Sequence, residues 1–432
     1  MKIFQKRAYF FSFKKTIMFS QKITHLLVIF CCGLLLTSCE LVPNRESLEQ
    51  HHIQKISQSS AKEGITTIFN QATPPKHVTL LLPLSDKLSA SGQAIRNGFL
   101  TAHYYAKQHG QPIPEMDFID TTQGNLQNLY QKAVASGADF IVGPLTKSEV
   151  TTFMSGNPPL VPILALNTVD NYLDHPLNNL YQFGLAPQDE AIQIANKIIR
   201  DGHKKVLVIA PASTWGANLV SVFKSNLTHL GGTIVDQLNY DKQTDFSSEI
   251  SSLLKVNKTQ TKQTSSQIKK SDLASYRRQD FDAIFIIAKP EEARQINPLL
   301  KFYYAGDIPA YATSLIYSGT PNSQLDFDLD GIIFCDLPWV LRNSNELPQY
   351  LQATQQQITS TLPGYTIATS KLYALGIDSY NLMRFLNQKG LFPKQGLIGA
   401  TGTLFLTPSN HIYRRLEWVK MQDGKPANLS EF

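Results

Sequence analysis

Val78-Thr-Leu-Leu-Leu-Pro83 is an unbroken run of apolar and β-branched residues closed by a proline. It reads as a strand buried on both faces. Ala90–His109 follows, with Ile95, Phe99, Ala102, Tyr105 and Ala106 at helical spacing and a stop at Gly110. This strand and helix begin a cycle. Met116–Asp120 predicts a strand, Asn125–Ser136 a helix ended by Gly137, Ala138–Gly143 a strand and Lys147–Met154 a helix. Pro162–Leu166 and Leu180–Gly184 predict two more strands. The cycle restarts with a helix at Glu190–Asp201, a strand at Lys205–Ala210, a helix at Ala217–Leu230 and a strand at Thr233–Leu238. A helix at Phe246–Leu254, a strand at Asp282–Ala288, a helix at Glu291–Tyr304 and a strand from Pro309 complete it. Continuous apolar strands alternating with helices make parallel sheets covered on both faces. Two such series predict an α/β protein of two lobes, as the chain is too long for one compact core.

The flanking segments differ in composition. Residues 255–280, beginning Lys255-Val-Asn-Lys-Thr-Gln-Thr-Lys262, are basic and poor in apolar residues, and read as a flexible, solvated insertion. After Leu329 come a strand at Gly331–Asp336, helices at about 346–360 and 366–387, and two late strands, Gly402–Leu406 and Tyr413–Met421, that read as a hairpin. Residues 40–76 are polar, end in Pro74-Pro75-Lys76, and read as a tether.

Residues 1–38 have the parts of a secretory signal: six Lys/Arg and no acid before Ser38, the apolar run Leu26–Leu36, then Thr37-Ser38. The run is shorter than the ~20 residues an ordinary span needs. Leu36-Thr37-Ser38-Cys39 has the form of a lipobox, in which Cys39 is lipidated and becomes the new N-terminus. A plain signal peptide or an uncleaved anchor is the alternative. Met18 offers a second start that would leave a more ordinary signal. Glu40 follows the cysteine, where Asp is the usual inner-membrane retention signal. The outer membrane, on its periplasmic side, is therefore the expected location.

Removing the signal removes the charge imbalance. The whole chain has 40 Lys+Arg against 34 Asp+Glu, and six of the basic residues lie in the signal. The excess is therefore no evidence for a nucleic-acid surface. Cys31 and Cys32 leave with the signal and Cys39 would carry lipid, so Cys335 is left with no disulfide partner. It lies in the run Gly331-Ile-Ile-Phe-Cys-Asp336, which reads as a buried strand rather than a reactive site.

No Gly-x-Ser-x-Gly, His-Glu-x-x-His, P-loop, Cys-x-x-Cys or dinucleotide fingerprint is present. His51-His52, in the tether, is a poor metal site. Neither an enzyme, a cofactor nor a metal is indicated. Geometry for binding remains, because open α/β sheets present ligand loops at the carboxyl ends of their strands. In lobe one these positions hold Ser85, Ser89, Ser91, Thr146, Lys147, Asn167 and Thr168. In lobe two they hold Ser213 and Trp215. Helix N-termini after such loops offer free N–H groups to an anion. The competing reading is that these Ser and Thr residues cap helices.

Several motifs occur in a fixed order: Leu80-Leu-Leu-Pro-Leu-Ser85, Gly92-Gln-Ala-Ile-Arg-Asn-Gly-Phe99, Val142-Gly-Pro-Leu145, Leu164-Ala-Leu-Asn167 and Phe183-Gly-Leu-Ala-Pro-Gln-Asp-Glu-Ala191. Phe281-Asp-Ala-Ile-Phe285, Tyr373-Ala-Leu-Gly-Ile-Asp378 and Arg415-Leu-Glu-Trp418 follow. Together, over about residues 77–425, they resemble the LppC/LpoA lipoproteins, outer-membrane activators of class A penicillin-binding proteins. The resemblance implies a type I periplasmic binding-protein fold whose two lobes are joined by three crossovers. These would fall near Ala186–Gln188, Leu329–Gly331 and Pro393–Gly396. Lobe one would then be 77–186 with 331–392, and lobe two 187–330 with 393–432. The expected partner is a class A penicillin-binding protein, and the function is regulation of peptidoglycan synthesis. Family members also carry an amino-terminal helical-repeat domain, whereas here a short tether, with a reach of at most roughly 120–130 Å, separates Cys39 from His77. A more distant resemblance, to amino-acid binding proteins of the same fold, implies the alternative: a solute-binding lipoprotein for a small polar ligand.

Overall fold

A computed structural model of the protein describes residues 72–169, 176–256, 276–362, 365–388 and 391–429. Cys39, the signal, nearly all of the tether and most of the basic insertion lie outside the described residues. No helix among the described residues is long and apolar enough to cross a membrane.

The fold is α/β, with the two lobes and parallel sheets of the type I periplasmic binding-protein class. The first sheet contains β1 (His77–Leu82), β2 (Glu115–Asp120), β3 (Phe140–Val142), β4 (Ile163–Ala165) and β5 (Leu180–Gln182), in the order β2-β1-β3-β4-β5. All its pairings are parallel. The intervening helices are α1 (Ser89–Gln108), α2 (Leu126–Ala135) and α3 (Lys147–Met154). Leu81, Ile141 and Ile163, at 0% exposure, form the centre of the core under α2 and α3.

The second series contains α4 (Pro187–Arg200), β6 (Lys205–Pro211), α5 (Thr214–His229), β7 (Thr233–Tyr240), α6 (Phe246–Leu253), β8 (Ala283–Ile286), α7 (Pro290–Leu300), β9 (Ala310–Ala312) and β10 (Ile333–Asp336). α4 and α7 begin earlier than their apolar spacing predicts. Pro187 and Pro290 occupy their first turns, where a fixed φ and a missing N–H cost nothing. α7 stops at Leu300, short of the predicted Tyr304, which has φ 64°.

Three helices follow: α8 (Pro338–Leu341), α9 (Gln349–Thr361) and α10 (Ile367–Leu386). α10 crosses α1 at a pair of glycines. A Cβ on Gly98 would lie 2.1 Å from the Tyr373 carbonyl oxygen, and one on Gly376 would lie 2.0 Å from that of Ile95. Only glycine permits backbones this close, which gives a physical reason for Gly98 in Gly92–Phe99 and for Gly376 in Tyr373–Asp378. Arg384 of α10, almost fully buried, donates to the Pro112 and Ala72 carbonyls. Ala72 is thereby held against this helix.

The strands β11 (Leu397–Ile398), β12 (Thr403–Leu406) and β13 (Ile412–Arg415) form a small antiparallel sheet. β14 (Glu417–Gln422) and β15 (Lys425–Asn428) return to the second sheet, whose order is β15-β14-β10-β9-β8-β6-β7.

Two expectations need correction. β10 was expected to open the return to lobe one, yet it pairs with β9 and β14 inside the second sheet. The chain therefore crosses after Asp336 rather than near Leu329–Gly331. β10 is an apolar run like its neighbours, and its sheet cannot be read from periodicity. The second late strand is broken at Leu416: β13 pairs with β12, whereas β14 pairs with β10. Only the 403–415 part is a hairpin.

Candidate functional site

The predicted loop residues fall into separate groups. In lobe one, the carboxyl ends of the strands surround an open cavity of about 680 Å³, lined in part by Ser85, Lys87, Thr122, Thr146 and Glu149. Asp120, at the end of β2, organises one wall. It accepts from the Leu84 N–H at 2.9 Å, the Ser85 hydroxyl at 2.7 Å, and the Thr122 N–H and hydroxyl at 3.1 and 2.9 Å. Burial opposes its charge, but these hydrogen bonds outweigh it and hold the carboxyl well below the usual range. The opposite wall is the start of α3. Thr146 caps that helix, and Glu149 turns back to accept from the Thr146 N–H at 2.9 Å and its hydroxyl at 2.7 Å. The donors placed to meet a ligand carboxylate are thus engaged by a protein carboxylate. Lys147 beside them is exposed.

Ser89 and Ser91 are half-buried in the first turn of α1. A Cβ on Gly92 would lie 2.0 Å from the Pro83 oxygen, so the chain leaving β1 passes directly against this turn. Asn167 donates to the Leu145 oxygen at 3.0 Å and accepts from the Thr168 N–H at 2.9 Å, which joins the loops after β3 and β4. In lobe two, Ser213 caps α5 by accepting from the Gly216 N–H at 3.0 Å. Trp215 is 41% exposed. The cavity brings Ser85 and Thr146 together, but not Asn167, Thr168, Ser213 or Trp215. Capping accounts for Thr146 and Ser213 without a ligand.

A second constellation, which periodicity did not suggest, lies where the lobes join. Lys371 of α10 reaches Asp336 at the end of β10, with Nζ 2.8 Å from Oδ1, and also donates to the Ser314 hydroxyl at 3.0 Å. Ser314, just after β9, donates its N–H and hydroxyl to Glu190 in the first turn of α4, at 2.8 and 2.9 Å. Asp336 is 0% exposed and Glu190 6%. Burial raises the pKa of both carboxyls, and the Lys371 ammonium opposes the rise.

Asp378, also on α10 and fully buried, accepts from the Ala400 N–H at 2.7 Å, the Thr401 N–H at 2.7 Å and the Thr401 hydroxyl at 2.6 Å. Burial raises its pKa to about 6 despite these bonds. Gln193 of α4 donates to the Arg414 carbonyl at 3.0 Å and accepts from the Leu416 N–H at 2.9 Å. Arg414 has a fully buried guanidinium with no hydrogen-bond partner among the described residues. Its charge lowers the pKa of Asp189, Glu190, Asp336 and Asp378, each of which burial raises more strongly.

This network ties together α4, the ends of β9 and β10, α10 and the small sheet. Its chemistry is positional. Burial holds Cys335 as a thiol with a strongly raised pKa, and no group of three or more His, Cys, Asp or Glu among the described residues could hold a metal. One sequence signal points here: acids set in or beside apolar runs, as in Phe-Cys-Asp336, Gly-Ile-Asp378 and Gln-Asp-Glu190.

The family model described as "LppC putative lipoprotein" matches residues 41–424. The chain belongs to the LppC family. A penicillin-binding protein activator LpoA from Photobacterium profundum is 28% identical to this LppC chain over 356 residues, covering 81% of the chain and 56% of the relative. The LpoA of Klebsiella pneumoniae is 28% identical over 323 residues, covering 73% and 44%. The LppC chain thus spans about half the length of the curated relatives it matches. Those relatives are named as activators rather than as catalysts. Among solved structures, the LpoA (YraM) C-domain from Haemophilus influenzae, titled a regulator of PBP1A, superposes with a TM-score of 0.62 at 25% identity, covering 82% of this chain and 100% of that one. An ABC transporter substrate-binding protein from Desulfitobacterium hafniense shares the fold, with a TM-score of 0.51 at 15% identity over 82% and 99% of the two chains.

Proposed function

We propose that the chain is an outer-membrane lipoprotein that regulates peptidoglycan synthesis by docking on a class A penicillin-binding protein and raising its activity. The carrying observation is the match to the whole of the LpoA C-domain titled a regulator of PBP1A. In this reading residues 1–38 are a signal, Cys39 carries the lipid, and residues 39–76 tether a body formed by 77–429. Lobe one is 77–186 with the helices from 338 to 392, and lobe two is 187–336 with β14 and β15. The lipobox supports anchoring on the periplasmic side of the outer membrane. The test is a pulldown and a glycan-polymerisation assay with each class A synthase of the same cell. Binding and a faster rate with one of them are expected, and neither effect with any of them would overturn the proposal.

A second reading, a solute-binding lipoprotein, is favoured by one observation: the open cavity at the strand ends of lobe one. A thermal-shift screen of amino acids and peptidoglycan fragments tests it. A ligand at 100 times its Kd adds about 2.7 kcal/mol. The engaged donors at Thr146 favour no shift with ligands carrying a free α-carboxylate.

A further inference from the structure

Residues 347–370 contain no Asp, Glu, Lys or Arg, in a chain that is 17% charged. α9 lies within this stretch and reads Gln349-Tyr-Leu-Gln-Ala-Thr-Gln-Gln-Gln-Ile-Thr-Ser-Thr361. It buries Leu351, Thr354 and Ile358, and leaves Gln356, Thr359 and Ser360 exposed. An exposed helix face usually carries charges that keep it solvated. This one presents amides and hydroxyls instead.

Between α9 and the last turn of α1 lies a groove of about 660 Å³. Tyr105, Gln108 and His109 form one wall, Gln356 and Gln357 belong to the other, and no charged Asp, Glu, Lys or Arg lines it. The Tyr105 and His109 rings are stacked, with centroids 4.0 Å apart and planes 29° from parallel. A 2.8 Å contact from a His109 ring nitrogen to the Tyr105 carbonyl fixes the pair. The side-chain amides of Gln108, Gln356 and Gln357 make no hydrogen bond to other described residues. The groove therefore combines an ordered aromatic stack with three uncommitted amides.

We propose that this groove binds a neutral polyhydroxylated chain, a glycan. An amide donates and accepts at once, as a hydroxyl or an N-acetyl group requires, and an aromatic ring offers a flat apolar face to a sugar's C–H groups. Other occupants fit less well. A nucleic acid or anionic polymer calls for Lys or Arg. An amphipathic helix calls for an apolar groove, and the apolar residues Leu351 and Ile358 face the core. The proposal does not rest on synthase docking, and its test is separate, because a glycan can be titrated with no synthase present.

The test is calorimetric titration of the full chain with chitotetraose, maltotetraose and, as an anionic control, polyglutamate. Saturable binding of at least one neutral oligosaccharide is expected. Exchanging both wall amides (Gln356→Ala with Gln357→Ala) should weaken it about tenfold, the worth of one or two hydrogen bonds, with an unchanged melting temperature. His109→Ala should weaken it too, by removing the stack. No binding of either oligosaccharide up to about 10 mM, a level that would reveal even affinities of about 3 kcal/mol, overturns the proposal. So does oligosaccharide binding that all these variants leave intact, or tighter binding of polyglutamate.

Discussion

The strand-end loops of lobe one and the polar network at the crossovers use the same residue types in opposite ways. Around the open cavity, Asp120 and Glu149 meet hydroxyls and backbone N–H groups near solvent, and no cation among the described residues forms a salt bridge with them. At the crossovers, Glu190, Asp336 and Asp378 are buried, two of them share Lys371, and Arg414 lies among them. A carboxylate near water can be satisfied by local caps at little cost. A carboxylate removed from water must be answered by a charge or by several donors, wherever in the sequence these lie. The first arrangement lies near solvent, even where Asp120 reaches Leu84 and Ser85 on the neighbouring loop, so water can stand in for a lost partner. The second joins residues far apart in the chain and cannot lose one member quietly.

The largest expected effect follows. Lys371→Met leaves Asp336 buried without its cation and should lower unfolding free energy by about 3–5 kcal/mol, read from the urea midpoint. Loss of less than about 1 kcal/mol would place this pair with ordinary surface bridges.

Next comes pH. Burial raises the folded pKa of Asp378 to about 6, well above the ordinary carboxylate value of 3.8. A group raised on folding contributes stability below its unfolded pKa and loses that contribution as pH rises through the folded one. Asp189, Glu190 and Asp336 are shifted in the same direction. Stability should therefore fall as pH rises from about 4 to about 6, by roughly 2–3 kcal/mol for Asp378 alone. Asp120, shifted downward, acts below that window. Asp378→Asn should flatten the slope, while a slope unchanged by this substitution would remove Asp378 from the account.

Much of the fold could be read before any coordinates, because apolar runs and helical spacing are local. Lys147–Met154 matches its helix end to end, and Pro187 and Pro290 explain the early starts of α4 and α7. Sheet membership is not local. Ile333–Asp336 has the same apolar character as a lobe-one strand, and only its pairing with β9 and β14 assigns it. The site divides in the same way. Ser213 and Thr146 are legible as caps from their position before helices. Lys371 is unremarkable in sequence, and its role appears only when Asp336 is brought to within 2.8 Å of its ammonium.

Smaller effects belong to the loops. Thr146→Ala removes one cap and should cost about 1 kcal/mol by chemical denaturation, against several at Lys371. A cost equal to that of Lys371→Met would erase the contrast between the two regions. Trp215→Ala, at an exposed position, should change stability by no more than about 0.5 kcal/mol. A larger loss in thermal melts would mean that Trp215 packs against more than its own loop.

Lys371 and Asp336 act as one buried unit tying α10 to the second sheet. A double-mutant cycle of Lys371→Met, Asp336→Asn and the pair, followed by urea denaturation, measures it directly. A coupling of about 2 kcal/mol or more is expected, with the double variant more stable than the sum of single losses implies. Additivity within about 0.5 kcal/mol would contradict it.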